Sequence, residues 1–219
     1  MAWLKRAWAA VSDVIWPSRL QCLTCDEMSE GAYLCDACAA ELNNLRLQEE
    51  AGPIRSAFPY RGLARNLVHA LKFAPLADAV TVLAQAMAEE AGKMCLPPDT
   101  VLTWVTMPAI RRRERSIDHG RLLCGELGKR LGMPVKPLLV RIRKTHTQRG
   151  LSAAQRAQNL IGAFACQEKL STPVLLIDDV LTTGATTRVC SQALLDAGAT
   201  AVFVLTACRV EKREDYDEI

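Results

Sequence analysis

The sequence predicts an α/β protein in which a parallel sheet is flanked by helices and preceded by a small four-cysteine module. Three observations carry that expectation. Strand-length apolar runs alternate with helix-period segments through the second half of the chain. One of those runs, residues 174–177, is apolar at every position, as a strand buried on both faces requires. Two CxxC pairs stand close together near the start.

Composition bounds the rest. The chain has 219 residues, 50% of them hydrophobic and 23% charged, enough for one core and one appendage too small to fold unaided. That profile excludes a disordered, collagen-like or coiled-coil architecture. With 27 Lys+Arg against 24 Asp+Glu the net charge is +3, too small for nucleic-acid binding to follow from charge alone. No run of about 18 apolar residues occurs, so no membrane span is expected. The apolar stretch 7–11 is too short for a secretory signal, and a cytoplasmic location is expected. In a reducing compartment the nine cysteines serve metal ligation, redox chemistry or packing rather than disulfides.

Taken in order, residues 3–16 put Trp3, Leu4, Ala7, Trp8, Val11, Val14 and Ile15 on one helical stripe that Pro17 ends, which predicts a short amphipathic helix docked on the rest. Cys22, Cys25, Cys35 and Cys38 follow as two CxxC pairs separated by nine residues. This spacing suits tetrahedral thiolate ligation of structural zinc, with a redox pair or an iron–sulfur cluster as the alternatives. Four thiolates leave no open position for catalysis, so such a metal would stabilise a module that has little core. The polar stretch 43–52 sets the domain boundary: residues 1–50 form the helix and zinc module, 51–219 the α/β domain. Cys95, Cys124, Cys166, Cys190 and Cys208 are expected to be small buried apolar residues.

An extended segment, 54–60, precedes two helical patterns at 63–72 and 76–93, and Pro97-Pro98 closes them. Strands are predicted at 101–106, 135–140, 174–177 and 201–206, and helices at 121–131, 153–160 and 185–197. The polar basic loop 141–150 has the length and composition of a lid. Strands separated by helices of this size build right-handed βαβ units and a parallel sheet.

The chemistry concentrates after the apolar strand, in Val174-Leu-Leu-Ile-Asp178-Asp179-Val180-Leu181-Thr182-Thr183-Gly184-Ala185-Thr186. Ligands of open α/β sheets collect outside the carboxyl ends of the strands. There a Thr-Thr-Gly-Ala-Thr turn leads into a helix whose first N–H groups are unpaired, with Gly184 allowing close backbone approach. That combination cradles a phosphate. The two carboxylates would repel a phosphate, so they are expected to face a polyol or a magnesium ion beside it. Neither GxGxxG nor GxxxxGK[ST] is present, which argues against dinucleotide and ATPase sites.

This segment resembles the phosphoribosyl pyrophosphate (PRPP) motif of type I phosphoribosyltransferases. Other elements narrow the resemblance to the ComF family, also called GntX-type competence proteins. They are the N-terminal CxxC pairs, Leu71-Lys72-Phe73, a strand ending at Pro108, and an Arg-rich stretch. Arg143-Lys144-Thr145, Gln148, Leu151, Arg156 and Asn159 follow, and then the PRPP motif. The resemblance implies that Asp178 and Asp179 hold the ribose hydroxyls and act as the catalytic pair, and that Thr182, Thr183, Gly184, Ala185 and Thr186 hold the 5′-phosphate. The family's usual Arg-Gly-Phe-Asn-Gln is replaced here by Arg115-Ser116-Ile117-Asp118-His119, and an aspartate of some members' turn by Thr182.

The basic residues complete the expected site. Arg111, Arg112, Arg113 and Arg115 follow the predicted strand end at Thr106, where a pyrophosphate would lie, and guanidinium groups suit its oxygens. Arg111, Arg115 and Lys144 are the expected PRPP contacts among them. No residue is an evident general base: His119 and His146 are candidates by chemistry alone and are expected rather to be surface or phosphate-contacting residues, and His69 to be structural. The resemblance implies a PRPP-binding enzyme that uses Mg2+ with PRPP and transfers phosphoribosyl to an acceptor the sequence does not name, linked to DNA uptake in natural transformation. The alternative is a non-catalytic module that binds single-stranded DNA or DNA-processing proteins and has a regulatory or vestigial PRPP site. Three of the four Trp residues lie in the N-terminal helix pattern, which gives a base-stacking platform little support.

Overall fold

A computed structural model of the chain describes residues 21–29, 32–48, 52–73, 77–107, 118–143 and 160–211. The predicted helices at 3–16 and 153–160 and the basic loop 144–150 lie outside the described residues, save for Leu160. The chain divides into two compact units, one ending at Leu45 and one beginning at Arg46.

The first unit is built around the cysteines. Gln21 and Met28 form an antiparallel bridge, and Cys22 N–H donates to Glu27 O at 2.6 Å. Asp26 closes the turn between them with φ 61°, and its N–H donates back to Cys22 O. Helix α1 (Asp36–Asn44) starts directly after Cys35. Its buried residues are Cys38 and Leu42, so apolar burial among the described residues of this unit is slight.

The second unit holds a four-stranded, all-parallel sheet. In chain order the elements are β1 (Ile54–Pro59), α2 (Gly62–Phe73), α3 (Ala77–Ala91), β2 (Val101–Trp104) and α4 (His119–Leu131). They continue with β3 (Leu139–Arg141), β4 (Phe164–Cys166), β5 (Val174–Leu181), α5 (Ala185–Asp196) and β6 (Val202–Arg209). Strand order is β1-β6-β5-β2, with β5 and β6 in the middle. This is the parallel sheet flanked by helices that the sequence predicted.

Burial follows from the alternation of side chains along the strands. Val174 and Leu176 of β5 and Val204 of β6 share one cluster with Ala185, Cys190 and Leu194 of α5 and with Leu139 and Phe164 of the β3–β4 pair. Leu175, Ile177 and Leu205, the intervening residues, are fully buried. Alternation turns them to the other face, where α3 lies against β1 and β6, and α4 against β2 and β5. Each central strand therefore has helices on both sides, which explains its unbroken apolar run.

The sequence did not anticipate everything. Residues 135–140 were expected to add a strand to the parallel sheet, but Val135 makes only an isolated bridge to Leu102. Pro134 and Pro137 flank it, and neither has an N–H for a ladder. The chain instead pairs antiparallel at β3 with β4, a strand the sequence pattern did not signal. Strand β5 also runs beyond its apolar stretch, because Val180 and Leu181 pair with Cys208 and Arg209, so the two aspartates sit inside the strand rather than at its end.

One buried ion pair ties the first strand to the helix layer. Arg55 of β1 donates to Glu90 Oε2 of α3 through Nε at 3.0 Å and Nη2 at 2.7 Å, and Lys93 reaches Glu90 Oε1 at 2.7 Å. The Arg55 and Glu90 side chains are each only 2% exposed. Glu90→Leu should cost about 3–5 kcal/mol by stripping the Arg55 guanidinium of its carboxylate, whereas Arg55→Met/Glu90→Leu should recover most of that loss. Urea unfolding of the three proteins tests this, and a double variant no more stable than Glu90→Leu would count against it.

Candidate functional sites: an acidic pair beside a phosphate turn, and a four-cysteine cluster

The acid pair lies where the twice-buried strand β5 emerges from its helix layers. The Asp178 and Asp179 side chains are half-buried, and Asp178 Oδ1 accepts from the Asp179 backbone N–H at 2.9 Å. Lys72, in the last turn of α2, brings its Nζ to 2.6 Å from Asp179 Oδ2. Burial holds the Asp178 carboxyl well above the usual carboxylate range, and the neighbouring Asp179 charge adds to that; Lys72 pulls the other way.

Beyond Leu181 the chain turns through exposed Thr182 and Thr183 into α5. Gly184 caps that helix with φ 72° and ψ 4°, the left-handed conformation that glycine adopts without strain. An added Cβ would meet nothing closer than Thr187 Oγ1 at 3.8 Å, so the dihedral rather than space calls for glycine here. Ala185 N–H donates to Thr183 Oγ1 at 3.4 Å, and Thr187 Oγ1 donates to Gly184 O at 3.0 Å. Thr182, Thr183, Gly184, Ala185 and Thr186 thus form one turn at a helix N-terminus, the arrangement that suits an anion. Two residues past β2, Thr106 is 8% exposed, and its buried hydroxyl makes no hydrogen bond. Its neighbour Val105 donates to Ile177 O on β5, so Thr106 lies close to the level of the acid pair.

Arg111, Arg112, Arg113, Arg115, Lys144 and His146 lie outside the described residues. His119 is not the surface residue of one expectation: at 4% exposure in the first turn of α4 it is buried. Asp118 caps that helix, accepting from Arg121 N–H at 3.2 Å and from Trp104 Nε1 at 3.2 Å. His69, expected to be structural, is exposed on α2. Lys72 is the residue that sequence reasoning missed. It was noticed only inside the Leu71-Lys72-Phe73 motif, and nothing local signals its approach to a strand so distant in sequence.

The four N-terminal sulfurs converge. The ligand atoms of Cys22, Cys25, Cys35 and Cys38 all lie within 4.8 Å of one another, and the Cys25 and Cys35 sulfurs are 3.6 Å apart. Tetrahedral zinc with Zn–S bonds of about 2.3 Å needs sulfurs about 3.8 Å apart, so the cluster fits that ion. Burial opposes ionisation of Cys22, yet hydrogen bonds from the Thr24 hydroxyl and the backbone of Cys35, Thr24 and Cys25 bring its thiol down to about 6. At Cys25 a backbone bond from Glu27 favours the thiolate, but desolvation and the other three sulfurs outweigh it and push the thiol up to about 12. Four sulfurs this close cannot all ionise unless a cation joins them.

The remaining thiols divide. Burial, reinforced by nearby carboxylates, pushes Cys124 and Cys208 up to about 12 and raises Cys190 as well, as inert packing residues require. Contrary to expectation, Cys95 is exposed and Cys166 partly so, because they sit in the irregular segment after α3 and on a short strand outside the main sheet.

Fold and site together define an α/β protein whose parallel sheet carries an acid pair and a phosphate-type turn on its central strand, joined to a four-cysteine module. No family model matches the chain. Among curated proteins, the DNA utilization protein YhgH of Salmonella typhi is 36% identical over 156 residues, covering 65% of this chain and 66% of its own. YhgH of Escherichia coli K12 is 34% identical over 157 residues with the same coverage. Competence protein F of Haemophilus influenzae is 35% identical over 112 residues, covering 49% of this chain and 48% of its own. The chain is similar to these DNA utilization and competence proteins, in keeping with the resemblance of its motifs to the ComF family, and it spans just under two thirds of the length of the YhgH relatives. Similar solved structures include orotate phosphoribosyltransferase from Aeropyrum pernix, with TM-score 0.42 and 18% identity over 66% of this chain and 64% of that one. A hypoxanthine phosphoribosyltransferase from Staphylococcus aureus has TM-score 0.40 and 12% identity over 65% and 70%. Among the described residues no helix is long and apolar enough to cross a membrane.

Two outcomes follow from this geometry. Zinc-loaded protein should hold one zinc per chain by elemental analysis, and Cys25→Ser should lose it together with hydrogen-exchange protection of α1; retention of both would exclude a four-thiolate site. Asp178 binds its proton more tightly folded than unfolded, so stability falls as pH rises from the ordinary carboxyl range through the raised folded value. Asp178→Asn should therefore raise the melting temperature at neutral pH and flatten that fall, and an unchanged pH profile would contradict the assignment.

Proposed function

We propose that this protein binds PRPP together with Mg2+, transfers its phosphoribosyl group to an acceptor, and serves the handling of DNA taken up or used by the cell. The observation that carries the reading is the order of groups along β5 and α5. Two carboxylates are followed directly by a left-handed glycine turn that opens a helix N-terminus. PRPP needs both halves at once. The turn's N–H groups and hydroxyls suit its 5′-phosphate, and Asp178 and Asp179 suit its 2′ and 3′ hydroxyls as acceptors.

The chemistry asks little more of the chain. Pyrophosphate leaves the anomeric carbon as positive charge develops on the ribose, so positioning and electrostatic stabilisation supply most of the rate. Magnesium, bound to the pyrophosphate oxygens of the ligand, would spread the leaving group's charge. Asp178 and Asp179 would orient the ribose, and their negative charge would favour the cationic sugar. Arg111, Arg115 and Lys144 are proposed to meet the pyrophosphate, and zinc on Cys22, Cys25, Cys35 and Cys38 to hold the N-terminal module.

The role in DNA handling rests on the chain's similarity to a DNA utilization protein and a competence protein. That similarity also supports a second reading, in which the chain binds single-stranded DNA or a DNA-processing protein and the PRPP site regulates that contact. The test is calorimetric titration of PRPP with Mg2+ into zinc-loaded protein and into Asp179→Asn. Micromolar binding that the substitution weakens by about 100-fold, the loss of two hydrogen bonds to a charged acceptor, is the expected outcome. No heat at millimolar PRPP would overturn the reading and move the search to single-stranded DNA.

A further inference from the structure

The Lys72–Asp179 contact differs in kind from the structural ion pair of the same domain. Arg55 and Glu90 are each 2% exposed and meet through two nitrogens, and Glu90 also accepts from Lys93. Lys72 and Asp179 meet at one nitrogen and one oxygen, and each side chain keeps 20% of its surface in water. A single contact that water reaches can part without stranding a fully buried charge, which leaves room for a reason beyond stability for it to stand on the acid pair.

Charge supplies that reason. Asp178 and Asp179 are adjacent, and the turn 182–186 beside them suits an anion. A ligand carrying several phosphate charges would meet two carboxylates before any hydrogen bond formed. Among the described residues, Lys72 is the cation in contact with this acid pair, and its charge acts on Asp178 as well as on Asp179. A lysine suits a mobile role, because its compact ammonium sits on a flexible four-carbon stem and can shift by a few ångströms without backbone movement.

We propose that Lys72 is an anion-binding residue of this site, held on Asp179 while the site is empty and passed to a phosphate oxygen of the ligand when ribose hydroxyls take over the carboxylate. The inference deepens the sugar-diphosphate reading and rests on it. The exchange conserves pairing: the ammonium leaves one anionic oxygen for another, and the freed carboxylate accepts hydroxyl hydrogens in its place. It also makes binding selective, since a ribose phosphate without the diphosphate gives Lys72 less to move to.

The two halves of the exchange separate by probe. Inorganic pyrophosphate needs the ammonium but not the ribose acceptors, whereas PRPP needs both. Calorimetric titrations of each into zinc-loaded wild type, Lys72→Met, Asp179→Asn and Lys72→Met/Asp179→Asn should show PRPP binding weakened about tenfold or more in every variant, as loss of a charge-assisted hydrogen bond requires. Asp179→Asn should bind pyrophosphate more tightly than wild type because Lys72 is released, and the double variant should lose that gain. Melting temperatures of all four proteins come first, with Lys72→Gln replacing Lys72→Met if the latter unfolds. If Asp179→Asn and the double variant gain equally for pyrophosphate, simple removal of negative charge explains the gain and the inference falls. If PRPP binding is normal in Lys72→Met, the inference falls and the sugar-diphosphate site stands. Wild type silent to PRPP overturns both.

Discussion

Strand β5 is apolar over Val174–Ile177 and has helices packed on both faces of its sheet, and the rest of the α/β domain depends on that double burial. Its neighbours are parallel, and the crossover helices that join parallel strands are what cover it on both faces. Its neighbours are β6 on one side and β2 on the other. The same burial decides where polar residues can go. Side chains stay apolar until the strand emerges from the helix layers, and the first two polar positions are Asp178 and Asp179. The acid pair is thus the point at which the core ends.

Placing two carboxylates there creates an electrostatic demand. Burial and the second charge both oppose ionisation of Asp178, and α2 answers by setting the Lys72 ammonium against Asp179. The turn that follows has the opposite character, with a helix N-terminus and a left-handed Gly184. Negative and positive ends therefore lie side by side within one β-to-α connection. The proposed ligand, with hydroxyls next to a phosphate, would match that polarity better than a simple anion or a simple polyol.

The four-cysteine unit solves a separate problem. Its described residues bury little beyond Cys22, Cys38 and Leu42. Four converging sulfurs would cross-link these residues once a cation neutralised them.

Local pattern determined much of this in advance. The apolar run at 174–177, the order Asp178-Asp179 then Thr183-Gly184, and the CxxC pairs each act through residues close in sequence, so strand, turn and cluster could be read directly. Pro97-Pro98 closed the second helical pattern for the same reason. Other features depend on which distant segments meet. The antiparallel pairing of β3 with β4 was decided by Pro134 and Pro137 and by the cover that α5 gives, and neither shows in a periodicity. His119 turned inward because α4 packs on β2 and β5, and Asp118 became a cap and an anchor for Trp104. Lys72 meets Asp179 because α2 ends beside the central strand, a contact that no spacing rule encodes. The sequence by itself determined the chemistry the chain carries and the elements that carry it. Tertiary structure decided which charges those elements bring together, since long-range contacts depend on packing of the whole domain rather than on neighbours along the chain.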